Sequence, residues 1–161
     1  MAELFGVTEL HITGKISTNL LSLNTTYRIH FSFMLEPDSC GFSKHPVRVF
    51  ISKIDANGAC LGGRHDNSET FYLKAPVKGK RGDIFDDDTC VDTFDKPDDV
   101  ETEDTFKHCS DAPRWLKIDM GKYFHKGDSD VAMLEMTLMG TEIGLRKSGL
   151  VVHAIELQPV D

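Results

Sequence analysis

The alternation of apolar and polar residues is the strongest signal along this chain. Between Thr26 and Leu35 every odd-numbered position carries a large apolar side chain, and most even-numbered positions carry polar ones. A period of two sustained over such a stretch is typical of a β-strand with one face in a core and the other towards solvent. The pattern therefore predicts a strand from Thr26 to Leu35.

Six further segments have strand-like patterns, and turn signals such as Asn57-Gly58, Lys126-Gly127-Asp128 and Ser148-Gly149 separate them. No amphipathic helix of useful length accompanies them, so the pattern predicts an antiparallel all-β sandwich. The last segment is almost entirely apolar, as expected of a strand covered on both faces. The six segments are Glu9–Ile16, the stretch with Val47, Val49 and Ile51, Glu69–Lys74, the stretch with Leu116, Ile118 and Met120, the stretch with Leu134, Met136 and Leu138, and Leu150–Leu157.

Residues 76–113 interrupt this pattern. The chain has a net charge of −8, and the part from Gly82 to Ala112 alone holds twelve of its 26 acidic residues but only two of its 18 basic ones. A segment this long and this charged is a poor candidate for burial. We therefore predict one sandwich domain over residues 1–161, with residues 76–113 as a long, acidic and mobile loop.

Composition and charge argue against several classes of function. No basic face is apparent, so nucleic acid is not an expected partner. No apolar stretch reaches the roughly 18 residues that a membrane helix needs, so no membrane association is expected. The first six residues lack the features of a signal peptide. The sequence therefore predicts a cytoplasmic protein, with access to the nucleus because of its small size.

Metal binding has two candidate readings, and we expect neither. The acidic run Asp86-Asp87-Asp88 suggests a calcium loop, but its spacing is irregular, and a solvated acidic loop is the simpler interpretation. Two Cys-His pairs, Cys40 with His45 and Cys60 with His65, would supply four possible zinc ligands. Both pairs fall in predicted connections between strands, so we interpret their spacing as coincidence. The four cysteines could instead form disulfides, for example Cys90–Cys109, although a cytosolic protein keeps them reduced. No metal or cofactor is predicted.

The chain carries no catalytic motif that we recognise, so an enzyme is not predicted. Its single tryptophan, Trp115, has two interpretations. If Leu116 and its strand mates point inward, Trp115 points outward, where an indole flanked by charged groups suits the apolar face of a sugar ring. Alternatively, Trp115 folds over the end of the sandwich and plugs the core.

Four blocks of the sequence, taken together, resemble the Nictaba-like phloem protein 2 plant lectins. The family opens with G-K-I-x-T and then L-S-P-N-T-T-Y, and this chain has Gly14-Lys15-Ile16-Ser17-Thr18 and Leu21-Ser22-Leu23-Asn24-Thr25-Thr26-Tyr27. Arg114–Phe124 is similar to G-W-L-E-I-x-L-G-E-F-F, Glu135–Met139 to E-M-x-L-M-E, and Lys147–Pro159 to K-S-G-L-I-V-x-G-I-E-I-R-P. Leu23, Gly140 and Arg146 depart from the family pattern.

The resemblance implies a jelly-roll-like sandwich that binds N-acetylglucosamine oligomers (chitooligosaccharides) or the cores of N-glycans without catalysis. It implies a plant protein of the cytoplasm, nucleus or phloem sap that binds N-glycosylated proteins and can form a homodimer. For the carbohydrate site we predict stacking by Trp115 or Tyr123 and hydrogen bonds from Glu142, Arg146, Lys147 and Ser148. The alternatives are solvated surface for Glu142 and Arg146, and a tight turn for 147–149. The alternative function is a phloem structural or protein-interaction module without sugar affinity.

Overall fold

The computed structural model describes residues 1–4, 6–43, 45–62, 68–73 and 115–160. These residues form nine strands and one short 3-10 helix, Thr18–Leu20. The strands are β1 (Ala2–Leu4), β2 (His11–Ser17), β3 (Thr25–Cys40), β4 (Val47–Ile54), β5 (Cys60–Leu61), β6 (Glu69–Phe71), β7 (Leu116–His125), β8 (Met133–Gly140) and β9 (Ser148–Val160). In the described ranges, no helix has the length and apolar character needed to cross a membrane.

The strands form two antiparallel sheets. Sheet A has the order β1-β9-β3-β7, and sheet B has the order β2-β8-β4-β5, with β6 also paired to β4. The predicted all-β class and the antiparallel pairing are confirmed. The finer description as jelly-roll-like stays a prediction.

One core holds the two sheets together. The inward faces of β3, β4 and β8 supply most of its buried side chains, including Ile29, Phe31, Val49, Leu134 and Leu138. The rings of Phe31 and Phe33 stack with centroids 5.6 Å apart. These are the positions that the alternating pattern assigns to the inner face, because successive side chains of a strand point to opposite sides of the sheet.

The close approach of the sheets explains the glycine at position 14 of β2. A Cβ added at Gly14 would lie 2.8 Å from Cδ1 of Ile155 in the opposite sheet. The glycine therefore makes room for a side chain across the core, and β2 runs through this position in register with β8.

The predicted strands are present, but their bounds and exposure differ in detail. Strand β3 extends to Cys40, and Glu69–Lys74 is reduced to Glu69–Phe71. Ser148 and Gly149 belong to β9, so the turn predicted there is wrong. Strand β9 is buried on both faces at Leu150 and Val151 but exposes His153. The acidic loop at 76–113 lies outside the described residues.

The strand directions define the two ends of sheet A. Strands β7 and β9 both pair antiparallel with β3, one on each side of it. They therefore run in the same direction and begin at the end of the sheet where β3 finishes. This end also receives the connection between β8 and β9, residues 141–147.

Candidate functional site

Trp115 lies immediately before β7 and is 44% exposed. Its ring centroid is 5.0 Å from that of His153, with the two rings tilted by 41°. The two rings form an aromatic pair on the outer face of sheet A, away from the core. Of the two interpretations of Trp115, the outward orientation is the one observed. Leu116 pairs with the core residue Phe33 but is itself 39% exposed.

A β-bulge in β9 explains the position of His153. Along β3, Ser32 pairs with Ala154 and the next residue, Phe33, pairs with Val152, so His153 is an extra residue on β9. A bulge interrupts the strict alternation of a strand and can redirect a side chain. Here the redirected ring meets Trp115 from the other side of β3, although β7 and β9 are not neighbours in the sheet.

A hydrogen-bonded charge pair lies on the same face. Lys117 Nζ donates to Glu156 Oε2 over 2.5 Å, and Ser32 Oγ donates to Glu156 Oε1 over 3.3 Å. The three residues come from β7, β3 and β9, and Ser32 is buried although it points outward. The hydrogen bond from Lys117 lowers the pKa of the Glu156 carboxyl, an effect that burial partly opposes.

A second charge pair continues this face of sheet A away from Trp115. Arg28 Nε lies 3.6 Å from Asp119 Oδ2, which is close enough for an ion pair but too long for a good hydrogen bond. The other carboxylate oxygen, Asp119 Oδ1, accepts a hydrogen bond from the backbone N–H of Gly121 over 2.8 Å. The outer face of sheet A therefore combines aromatic rings with charges that are paired across strands.

The connection between β8 and β9 contains three of the predicted site residues, and Ser148 follows it. Lys147 is only 1% exposed. Its ammonium group donates to the carbonyl oxygens of Leu145 over 3.1 Å and of Glu142 over 3.4 Å. Burial lowers the pKa of Lys147, and the charge of Glu142 acts in the opposite direction. The buried side chain of Lys147 thus stabilises the connection between β8 and β9 through hydrogen bonds to its carbonyl oxygens.

Backbone contacts fix the same connection to its neighbours. Lys147 and Val7 exchange two backbone hydrogen bonds of 2.7 and 2.9 Å. At Gly41, whose φ is +84°, an added Cβ would lie 2.4 Å from the carbonyl oxygen of Arg146. Ser148 pairs with Cys40 of β3. The tight turn considered for 147–149 is therefore replaced by a bridge followed by the start of β9.

Glu142 lies beside a small cavity of about 150 Å³. Glu9 and Arg48 also line this cavity, together with the last two residues of β8, Met139 and Gly140. Glu142 Oε1 lies 4.0 Å from His45 Nδ1, so the two attract each other only when the imidazole is protonated. Charged side chains and apolar ones, among them Leu10 and Ile143, therefore line this cavity together.

Tyr123 is in a different environment. It is 7% exposed and belongs to the core, and its hydroxyl oxygen lies 3.4 Å from His125 Nδ1. Burial raises its pKa, with a smaller contribution from Asp128. It follows Trp115 by eight positions along β7, about 25 Å at the usual rise of a strand. Tyr123 also lines a cavity of about 710 Å³, together with Lys53 and Lys126.

The six predicted site residues therefore fall in three places. Glu142, Arg146, Lys147 and Ser148 lie together at the end of the sandwich, Trp115 lies on the outer face of sheet A, and Tyr123 lies towards the other end. Three residues of the outer face of sheet A were not predicted from the sequence as site residues: His153, Glu156 and Lys117. The outward set of β7 gives a signal for Lys117, but the bulge that exposes His153 has no signature in the alternation.

The outer face of sheet B also carries a groove, of about 680 Å³. His11, Met133 and Phe50 are among the side chains that line it. Another cross-strand ion pair, between Lys15 Nζ and Glu135 Oε2 at 3.0 Å, lies along it. It joins directly opposed residues of β2 and β8 and has no neighbouring indole, since Trp115 is the single tryptophan.

The cysteines of the described residues differ in state. Cys40 is disulfide-bonded and Cys60 is a free thiol. The chain has four cysteines, and the suggested pairing of Cys90 with Cys109, which lie outside the described residues, does not account for the bond at Cys40. A sulfur in a disulfide has no thiolate to offer zinc. His65 and the acidic run at 86–88 also lie outside the described residues.

Comparison with known proteins identifies the family. The family profile described as phloem protein 2 (PP2) matches residues 1–159. The chain belongs to the phloem protein 2 family. The four blocks that resemble this family in the sequence lie within the matched range, and the expected membership is confirmed. The phloem protein 2 family is a plant family that is lectin-like in general and generally non-catalytic.

Two relatives from Arabidopsis thaliana match over 99% of the chain. PP2-B12, a candidate F-box protein by its name, is 26% identical over 160 residues, which are 48% of its length. F-box protein PP2-B1 is 24% identical over 177 residues, which are 53% of its length. The chain thus spans about half the length of these phloem protein 2 relatives.

Proposed function

We propose that this domain is a carbohydrate-binding module, with N-acetylglucosamine oligomers or the cores of N-glycans as ligands. The observation that carries the proposal is the half-exposed indole of Trp115, held against His153 beside the polar groups of Lys117 and Glu156. A pyranose has an apolar C–H face and a rim of hydroxyls, so it needs both kinds of contact. The lectin-like character of the phloem protein 2 family supports the same conclusion.

Trp115 is the proposed stacking residue. Glu142, Arg146 and Ser148 stay proposed hydrogen-bonding residues of a neighbouring contact at the end of the sandwich. The predicted contacts of Lys147 and Tyr123 with sugar also stay predictions. In the structure, the buried side chain of Lys147 supports the connection between β8 and β9, and that of Tyr123 belongs to the core. Binding through shallow surface contacts would be non-catalytic.

Titration of the domain with chitotriose tests the proposal directly. Trp115 is the single tryptophan, so its fluorescence reports on this face without interference from another indole. We expect a change in emission intensity or wavelength that saturates with sugar, and binding heat measured by calorimetry with the same midpoint. No spectral change and no heat at millimolar chitotriose, together with no retention on an array of N-glycans, would rule the proposal out.

A protein-interaction module is the second candidate, and exposed apolar side chains favour it. Leu20 and Leu23 are largely exposed near the 3-10 helix, and Ile143 is 81% exposed at the other end of the sandwich. Apolar side chains clustered on a surface often mark interaction sites. Strong capture of defined plant proteins that persists after enzymatic removal of their N-glycans, with no glycan binding, would support this function instead.

Location and assembly follow from the same proposal. A lectin that meets N-glycan cores in the cytoplasm, the nucleus or phloem sap would bind N-glycosylated proteins there, and a homodimer would increase its avidity for clustered glycans. Fluorescence imaging of the tagged full-length protein tests the location. Analytical ultracentrifugation tests the dimer, and a single species at the monomer mass of 18.0 kDa would contradict it.

A further inference from the structure

The carboxylate of Glu156 is held from both sides. Lys117 donates to one of its oxygens and Ser32 donates to the other, from the two strands β7 and β3. Such contacts fix the direction of the carboxylate before any ligand arrives, which lowers the entropy cost of binding. Each carboxylate oxygen accepts about two hydrogen bonds. Both oxygens of Glu156 therefore keep capacity for a further donor.

The charges near Trp115 cancel. Lys117 and Glu156 neutralise each other, and the next pair along the face, Arg28 and Asp119, is also matched in sign. The carboxylate of Glu156 would repel an anionic ligand, and the ammonium group of Lys117 would repel a cationic one. A neutral ligand rich in hydroxyl donors is repelled by neither charge.

Trp115 and Glu156 are within reach of one oligosaccharide. Lys117, which contacts Glu156, lies two residues from Trp115 on the same side of β7, about 7 Å along the strand. His153 lies on β9 as Glu156 does, and it contacts Trp115. The aromatic pair and the carboxylate thus form one continuous surface across three strands.

We propose that Glu156 is the specificity-determining residue of this surface, accepting hydrogen bonds from hydroxyl or amide groups of a neutral glycan that stacks on Trp115. The proposal rests on the carbohydrate-binding function proposed above. It adds a prediction about ligand class: the surface discriminates neutral oligosaccharides from oligosaccharides that carry carboxylates.

The substitution Glu156→Gln tests this role, and Glu135→Gln is its matched control. Glu135 also forms an ion pair with a lysine, here on the neighbouring strand, and its side chain is 27% exposed, against 29% for Glu156. Both substitutions remove one lysine–glutamate ion pair from an outer sheet face, so they should affect stability alike. Thermal unfolding of both variants checks that the folds are intact.

Binding of chitotetraose and of a hyaluronan tetrasaccharide, which alternates N-acetylglucosamine with an acidic sugar, is then measured by calorimetry. We expect the wild-type chain to prefer chitotetraose. E156Q should bind chitotetraose about tenfold or more weakly, the usual effect of losing hydrogen bonds to a charged group. E156Q should also discriminate less between the two sugars, and E135Q should behave as the wild type.

The possible failures are distinguishable. If the wild-type chain binds chitotetraose and E156Q binds it equally well, the role of Glu156 is wrong while the carbohydrate-binding function stands. Equal losses in E156Q and E135Q would also overturn the role, because they would reflect a general effect on the sheets. If the wild-type chain binds no glycan on the array, the proposed function itself fails.

Discussion

The rings of Trp115 and His153 meet at 5.0 Å between centroids although their strands are not neighbours in the sheet. Strand β3 lies between them, and the bulge in β9 brings the imidazole across. The pair creates an aromatic surface that neither strand would present alone. This relationship makes the outer face of sheet A the first place to test by mutation.

Replacing Trp115 with alanine should weaken chitotriose binding about tenfold, or about 1.4 kcal/mol, because the stacking surface is lost. The free energy of unfolding should fall by only about 1 kcal/mol, since the ring is half exposed. Calorimetry measures the binding, because this variant lacks the fluorescent reporter. Phe124→Ala is the control, as Phe124 lies on β7, the strand that Trp115 immediately precedes, and is 46% exposed. Equal loss of binding in both variants would contradict a specific role for Trp115.

The pair of Glu156 and Lys117 predicts a defined pH dependence of stability. The pKa of Glu156 is lowered from its ordinary value of 4.5 by the hydrogen bond from Lys117. A carboxyl with a lower pKa in the folded state stabilises the fold above its unfolded pKa and loses this contribution as pH falls through the folded value. The difference in unfolding free energy between wild type and E156Q should therefore be constant from pH 7 to about pH 5 and shrink at lower pH.

Urea denaturation at a series of pH values measures this difference. The comparison with E156Q isolates the contribution of the Glu156 carboxylate, which includes its charge interaction with His153. A difference that grows on acidification would show that the sign of the pKa shift is wrong. A difference that stays constant down to pH 2 would show that protonation of Glu156 does not contribute to the pH dependence of stability.

Lys147 should act mainly on the connection between β8 and β9. Lys147→Ala removes a buried stem and two hydrogen bonds to carbonyl oxygens, so we expect a loss of about 2 kcal/mol in unfolding free energy. Lys147→Met keeps the stem and removes a buried charge, so its loss should be about 1 kcal/mol or less. Lys122→Met, at an exposed position, is the control and should change stability by less than about 0.5 kcal/mol.

Hydrogen exchange of the amides at 142–146 gives a second measure for these variants. Exchange should accelerate in both Lys147 variants and stay unchanged in the control. If Lys147→Met leaves both stability and exchange at wild-type values, the ammonium group does not hold this connection.

Gly41 and Gly58 separate the cost of a backbone conformation from the cost of a clash. Both have a positive φ, +84° and +83°, but a Cβ at Gly41 would collide with the carbonyl oxygen of Arg146, whereas Gly58 has nothing within 4 Å. Gly58→Ala should cost about 1–2 kcal/mol from its backbone conformation alone. Gly41→Ala should cost about 3 kcal/mol or more, because the clash adds to it. Urea denaturation measures the free energy of unfolding of both variants. Equal losses would mean that the connection between β8 and β9 shifts away from the added Cβ at Gly41 without cost.

The sequence predicted much of the fold because burial imposes a period of two on each strand. The alternation in β3 located Ile29, Phe31 and Phe33 in the core, and the same reasoning located Leu134 and Leu138 of β8. It missed the short strands β1 and β5, which consist of three and two residues. Such short segments have too few positions to show a period.

The candidate site was only partly predictable. The alternation left two interpretations of Trp115, an outward ring or a plug over the core, and the structure shows a ring that is 44% exposed. Tyr123 and Lys147 were expected at a sugar site because polar or aromatic groups serve there, yet both side chains are buried. Residue type did not reveal this, because a buried tyrosine or lysine needs partners that come from elsewhere in the chain.

The sequence by itself determined the class of the fold and the family, since both depend on local patterns and on the order of short motifs. Only the tertiary structure decided which side chains share a surface. The bulge at His153, the packing of Ile155 against Gly14 and the three-strand contact around Glu156 depend on how strands distant in sequence are paired. Register is set by the packing of the whole core, and no single segment carries that information.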